Sequence, residues 1–201
     1  MDIDHVLRVI DLTLQQYELW HKNGFDLSDF TKEELIFSAM HHDLGKLGDL
    51  SGDYYLPNDS QWHREKMGLI YKFNENIHHM KTAARTFFLL QHFGIKYNQI
   101  EMLGIHCTDG LYDEDNETYL KQSDSGRGIK TDIVYLLHHA DLMASRLEHT
   151  TWKAQRKLNG SVKSSEPTVV MHKNQNLSKL ADIAEKHSTD KQKQLFDDLF
   201  K

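Results

Sequence analysis

Residues 37 to 49 read FSAMHHDLGKLGD. A helix that only packs would fill such a stretch with Leu and Ala, yet His41, His42 and Asp43 stand in a row behind Ala39 and Met40. Gly45, Lys46 and Gly48 then close the helix in an ordinary way, with glycine past the last turn and a cation near it. Neighbours on a helix point roughly 100° apart, so His42 and Asp43 can only straddle one ion between them. A divalent metal held there needs more imidazole or carboxylate ligands from other elements.

Two residues answer that need. Asp141 lies in VYLLHHADLMASRLE, with Leu136, Leu137, Ala140 and Ala144 around it. A lone buried carboxylate is costly there unless it meets a cation or hydrogen bonds, and Arg8 and Arg146 offer an ion pair as the competing account. His5 opens the first apolar stripe, Val6, Val9, Ile10, Leu14 and Tyr17, with His21 its rival as a ligand. His41, His138, His139 and the pair His78–His79 read as structural or supporting, although His138 shares a helix face with Asp141.

The whole chain bounds the answer. Its 201 residues suit one domain with room for a tail, and 39% apolar with 27% charged residues is a soluble globular balance. No apolar run is long enough to cross a bilayer, and MDIDHVLRVIDL sets acids before its apolar residues, the reverse of a secretory signal. The single cysteine, Cys107, forms no internal disulfide, so a reducing cytoplasm is expected. A net charge of -6 argues against a general nucleic-acid coat.

Only Pro57 and Pro167 interrupt the chain, and apolar spacing is helical nearly throughout, so an all-α fold without strands or repeats is expected. Helices are expected near residues 63–74, 82–93, 97–106 and 130–155, besides the one ending at Gly45. Residues 51–60 (SGDYYLPNDS) and 109–128 read as loops carrying aromatics and acids, which suits a site rim. Composition shifts after Arg156. We expect a domain over 1–156, a linker over 157–175 and a helical tail over 176–201.

The pieces H-x-x-R-V at His5, A-x-x-H-D-L-G-K at Ala39 and H-x-A-D at His138 resemble the HD domain, a family of all-helical metal-dependent phosphohydrolases. The resemblance covers about residues 3–150 and implies a compact helical bundle with a small helical C-terminal extension. It also implies His5, His42, Asp43 and Asp141 as ligands of a divalent ion (Mn, Fe, Co, Ni, Mg or Zn) and Lys46 beside substrate phosphate. Some members bind a second metal through further histidines. WHREKMGLIY and GIHCTDGLYD resemble those segments and make His63 and His106 second-site candidates, although Cys107 and Thr108 break the second pattern. With one metal, His63 and His106 would line the pocket, and Asp109 or Asp49 would orient water or protonate the leaving group. Arg64 or Arg85 would help Lys46 with phosphate charge, and Tyr54, Tyr55, Trp62 and Tyr112 would either stack on a base or pack as a loop hinge.

The function expected is therefore hydrolysis of a phosphate ester or anhydride, with a small phosphorylated substrate and a nucleotide the first choice. The alternatives are a binuclear phosphodiesterase on cyclic or oligonucleotides, or a metal-stabilised binding module. The tail segment QKQLFDDLF resembles the peptides by which replication proteins hold a sliding clamp, with Gln194, Leu195, Leu199 and Phe200 as anchors. A helix folding back on the core accounts for the same spacing.

Overall fold

Helix α1, Ile3–Lys22, turns one stripe inward: Val6, Val9, Ile10, Leu12 and Thr13 are buried. The computed structural model describes residues 3–121 and 128–159, with side chains through residue 155. Met1–Leu158 form one compact unit and Asn159–Lys201 a second. The tail and its Gln194, Leu195, Leu199 and Phe200 lie outside the described residues.

Helix α2, Lys32–His41, begins at a capping box. Thr31 Oγ1 accepts from Glu34 N at 3.1 Å, and Glu34 Oε2 accepts from Thr31 N at 2.7 Å. Such a cap contributes on the order of 1 kcal/mol and fixes where the helix starts. The helix end therefore falls at His41 and His42. A 3-10 turn, Leu44–Leu47, follows at once.

Gly45 permits that turn. A Cβ there would stand 2.1 Å from Thr82 O, at the start of helix α3, Thr82–His92. Instead Gly45 N donates to Thr86 Oγ1 at 2.8 Å. The buried Arg85 completes the joint, donating to Gly45 O and His78 O at 3.2 and 2.8 Å, with its guanidinium over the Tyr54 ring. Arg85 thus supports the backbone behind the His-Asp pair through Nη1 and Nη2, while its buried Nε meets no hydrogen-bond partner among the described residues.

The described residues are mostly helical, but the expectation of no strands fails between residues 48 and 73. Strands β1, Gly48–Asp49, and β2, Gly52–Asp53, pair antiparallel, as do β3, Tyr55–Pro57, and β4, Tyr71–Phe73. The helix expected over 63–74 shrinks to one π-type turn, His63–Met67. Gly68 ends it in the left-handed region at φ 71°, and its N–H bonds to His63 O. Ile70 N turns back to Gly68 O at 3.1 Å, Asn58 N donates to Ile70 O at 2.8 Å, and the chain extends from Tyr71. Apolar spacing alone cannot tell so short a strand from a helical turn.

Helix α4, Gln99–His106, carries a second capping box, Asn98 with Glu101. The short helix α5, Glu117–Leu120, follows, and the long α6 runs Ile133–Asn159. Val6, Val9, Ala39, Leu137, Ala140 and Ala144 pack α1, α2 and α6 into one cluster. Leu35, Cys107, Ile133, Val134 and Leu136 join α2 and α6 to the end of α4 in another. These contacts hold three helices in a fixed relation, each presenting polar residues at one place. Among the described residues, no helix is long and apolar enough to cross a membrane.

Candidate metal centre

His5 on α1, and His42 and Asp43 at the end of α2, each offer a ligand atom, and these atoms lie within 4.8 Å of one another. Asp43 Oδ2 stands 3.8 Å from His5 Nε2 and 3.6 Å from His42 Nε2, separations that one ion with bonds of about 2.0–2.2 Å would bridge. Asp141 on α6 adjoins them: its Oδ1 is 3.1 Å from His5 Nε2 and 3.9 Å from His42 Nε2. The four residues expected as ligands thus come together from three helices. His21, the rival to His5, instead stacks on Tyr17 with ring centroids 6.4 Å apart.

The orientation of His42 carries the most information. Its Nδ1 lies 2.8 Å from Ala39 O, and a carbonyl only accepts, so the ring proton sits on Nδ1. The lone pair of Nε2 then faces Asp43 Oδ2 at 3.6 Å, and this buried atom has no hydrogen-bond partner. An orphaned buried polar atom costs about 1–3 kcal/mol. A cation would accept that lone pair and offset the nearby carboxylates. The donor set therefore fits a divalent ion of the mixed nitrogen and oxygen type.

The acids and bases around the cluster respond to one another. For His5, burial opposes the charged form, but the hydrogen bond to Asp141 and the charges of Glu148 and Asp141 raise its pKa. For Asp141, burial works upward, yet the bond to His5 and the charges of His42, His5 and Lys46 hold its pKa below the usual value. Lys46 Nζ donates to Asp43 Oδ2 at 2.7 Å. Burial opposes its charge, while Asp43, Asp141 and Asp109 together keep its pKa raised.

Asp109 joins this group electrostatically. Burial lifts its carboxyl above the usual range, and Asp141, Asp43 and Asp113 add to the lift against Lys46. Its position is fixed from α6, because His138 Nδ1 lies 2.7 Å from Thr108 O. Gly110 follows at φ 54°, where a Cβ would stand 2.5 Å from the His138 ring. His138 is thus a support for Asp109, one turn before Asp141.

The other expected site residues have partners of their own. His63 Nδ1 bonds Ser60 Oγ at 2.7 Å, and His106 lies between the Phe87 and Tyr119 rings, at 6.5 and 4.9 Å. Neither belongs to the ligand group. Asp49 Oδ1 accepts from Ser51 N at 2.8 Å within the β1–β2 turn, and Arg64 donates to Asn58 O at 2.5 Å. Tyr54, Tyr55 and Phe73 form a ring cluster, with centroids 4.8, 5.3 and 5.4 Å apart. Tyr55 lies within the fields of Lys46 and Asp43, so this cluster borders the centre. Trp62 and Tyr112 are exposed.

Glu148 was missed by the sequence reading. It stands two helical turns beyond Asp141 and takes the partner assigned in the sequence to Asp141, since Arg8 Nη1 donates to Glu148 Oε1 at 2.6 Å. The signal lay in the spacing: His5 and Arg8 share one face of α1, and Asp141 and Glu148 one face of α6. No protein-family model, curated protein or solved structure matches the chain.

Proposed function

We propose that this chain is a metal-dependent phosphohydrolase of the HD type, with one tightly held divalent ion and a small phosphorylated substrate, a nucleotide first. The observation that carries the reading is the orphaned, buried Nε2 of His42, facing two carboxylates and a second imidazole. An ion pair between His5 and Asp141 alone would leave that lone pair without a partner. The helices around the centre also suit the bundle that the resemblance implies.

A divalent ion held by His5, His42, Asp43 and Asp141 would supply a water activated near neutral pH and polarise a phosphoryl oxygen. The chain's own residues would do the rest. Lys46, half-exposed at the rim, would draw the phosphate in and offset its charge. Asp109, with its raised pKa, would take a proton from the attacking water. As the new O–P bond forms and the leaving O–P bond breaks, that proton would pass to the leaving oxygen. The exposed rings of Tyr55 and Phe73 offer aromatic surface on which a base would stack.

Elemental analysis of the purified protein, followed by a phosphate-release screen over nucleotides with Mn, Fe, Co, Ni, Mg and Zn, tests this. One metal per chain is expected, with release on at least one nucleotide that Asp43→Asn abolishes. An active, metal-replete Asp43→Asn protein would end the reading. Two metals per chain, both lost when His63 and His106 are replaced by Ala, would move it to a binuclear phosphodiesterase. Tight metal without hydrolysis of any substrate would favour a binding module.

A further inference from the structure

We infer that Arg8 and Glu148 form an orienting relay behind His5, fixing the direction in which its Nε2 meets the metal. The inference rests on the metal reading above. His5 Nδ1 stands 3.1 Å from both carboxylate oxygens of Glu148, and Arg8 Nη1 holds one of those oxygens at 2.6 Å. A carboxylate held by a guanidinium has no proton to give, so the shared hydrogen belongs to His5 Nδ1. With Nδ1 holding its proton, Nε2, which lies 3.1 Å from Asp141 Oδ1 and 3.8 Å from Asp43 Oδ2, is the atom that would turn a lone pair to an ion bound there.

The relay also explains why His5 can serve from where it stands. It lies in the first turn of α1, where helices fray and a side chain gains little from the backbone. His42 has a helix carbonyl, Ala39 O, to set its ring; His5 has instead a carboxylate brought by another helix. Because Glu148 shares α6 with Asp141, one element supplies both a ligand and the group that aims a ligand. Arg8, one turn after His5, closes the loop on α1. Losing such a supporting carboxylate typically weakens metal binding about 10–100-fold.

The test uses the full chain and Co2+, whose visible absorption reports ligand geometry. Glu148→Gln should lower Co2+ affinity about 10–100-fold and shift or weaken the absorption band, with one ion per chain still reached at saturation. Arg8→Ala should weaken affinity less, and Arg8→Lys should restore part of that loss. Should Glu148→Gln not fold, as judged by circular dichroism, the Arg8 pair carries the test alone. Wild-type Co2+ affinity and absorption in a folded Glu148→Gln protein would overturn the relay. So would equal affinities for wild type, Arg8→Ala and Arg8→Lys. A wild-type chain that takes up no Co2+ would overturn the metal reading itself, which separates the two failures.

Discussion

Lys46 is the residue whose charge has two claims on it. Its ammonium binds Asp43 Oδ2 at 2.7 Å, yet more than a third of the side chain is exposed to an incoming ligand. Removing it leaves the ligand carboxylates more negative, so metal content should hold or rise. An anion approaching the ion would lose a charged hydrogen bond, a term of about 1.5–3 kcal/mol. Lys46→Ala should therefore keep its metal while inhibition by inorganic phosphate weakens roughly ten- to a hundredfold. A phosphate inhibition constant equal to that of wild type would reassign Lys46 to Asp43 alone. The His-Asp pair was legible in the sequence because two histidines and an acid are poor choices for a packing face. Glu148 was not, because its place on the Asp141 face of α6 gains meaning only from Arg8 and His5, 140 and 143 residues away.

At the scale of elements, the joint between the α2 end and α3 decides where the ligands stand. Gly45 packs backbone against backbone, with Thr82 O only 2.1 Å from the place a Cβ would take. Neither side can rotate away, so Gly45→Ala should destabilise by about 1–3 kcal/mol or more. Gly128, with open space around it, is the control and should tolerate Ala with little change. Urea denaturation of both variants decides the matter; equal midpoints would show that the joint yields without cost. Apolar spacing was enough to mark α2 and α4 as helices, and the structure starts each at a capping box whose partners lie three residues apart. The pairing of β3 with β4 joins Tyr55 to Phe73 and Pro57 to Tyr71, a relation no local pattern records.

Over the whole molecule, the centre ties α1, α2 and α6 at the point where their apolar packing gives way to buried acids. Asp43, Asp141 and Asp109 face one lysine there, so the apo protein carries uncompensated negative charge in a partly dry site. An ion bound to the native state alone stabilises by about 2.7 kcal/mol at a hundred times its Kd. For a chain of this size that is a rise in Tm of about 5–11 °C. Adding metal to chelator-treated protein should produce that rise, and His42→Ala should abolish it. A melting temperature that ignores metal in the wild type would contradict a shared ion between the three helices.

The sequence by itself determined the helical character and marked His42, Asp43, Asp141 and His5 as polar groups on otherwise apolar faces, which the resemblance joined into one set. Both are written in local patterns: periodic apolar residues, and polar groups where a packing face should be apolar. Tertiary structure alone decided that two short strand pairs form between residues 48 and 73, that Arg85 donates to the Gly45 and His78 carbonyls, and that His63 meets Ser60 while His106 meets Phe87 and Tyr119. It alone brought Glu148 and Arg8 behind His5. The physical reason is the same in each case. Strand pairing, burial of a charge and the aim of an imidazole are set by partners distant in the chain, and a sequence pattern records only neighbours.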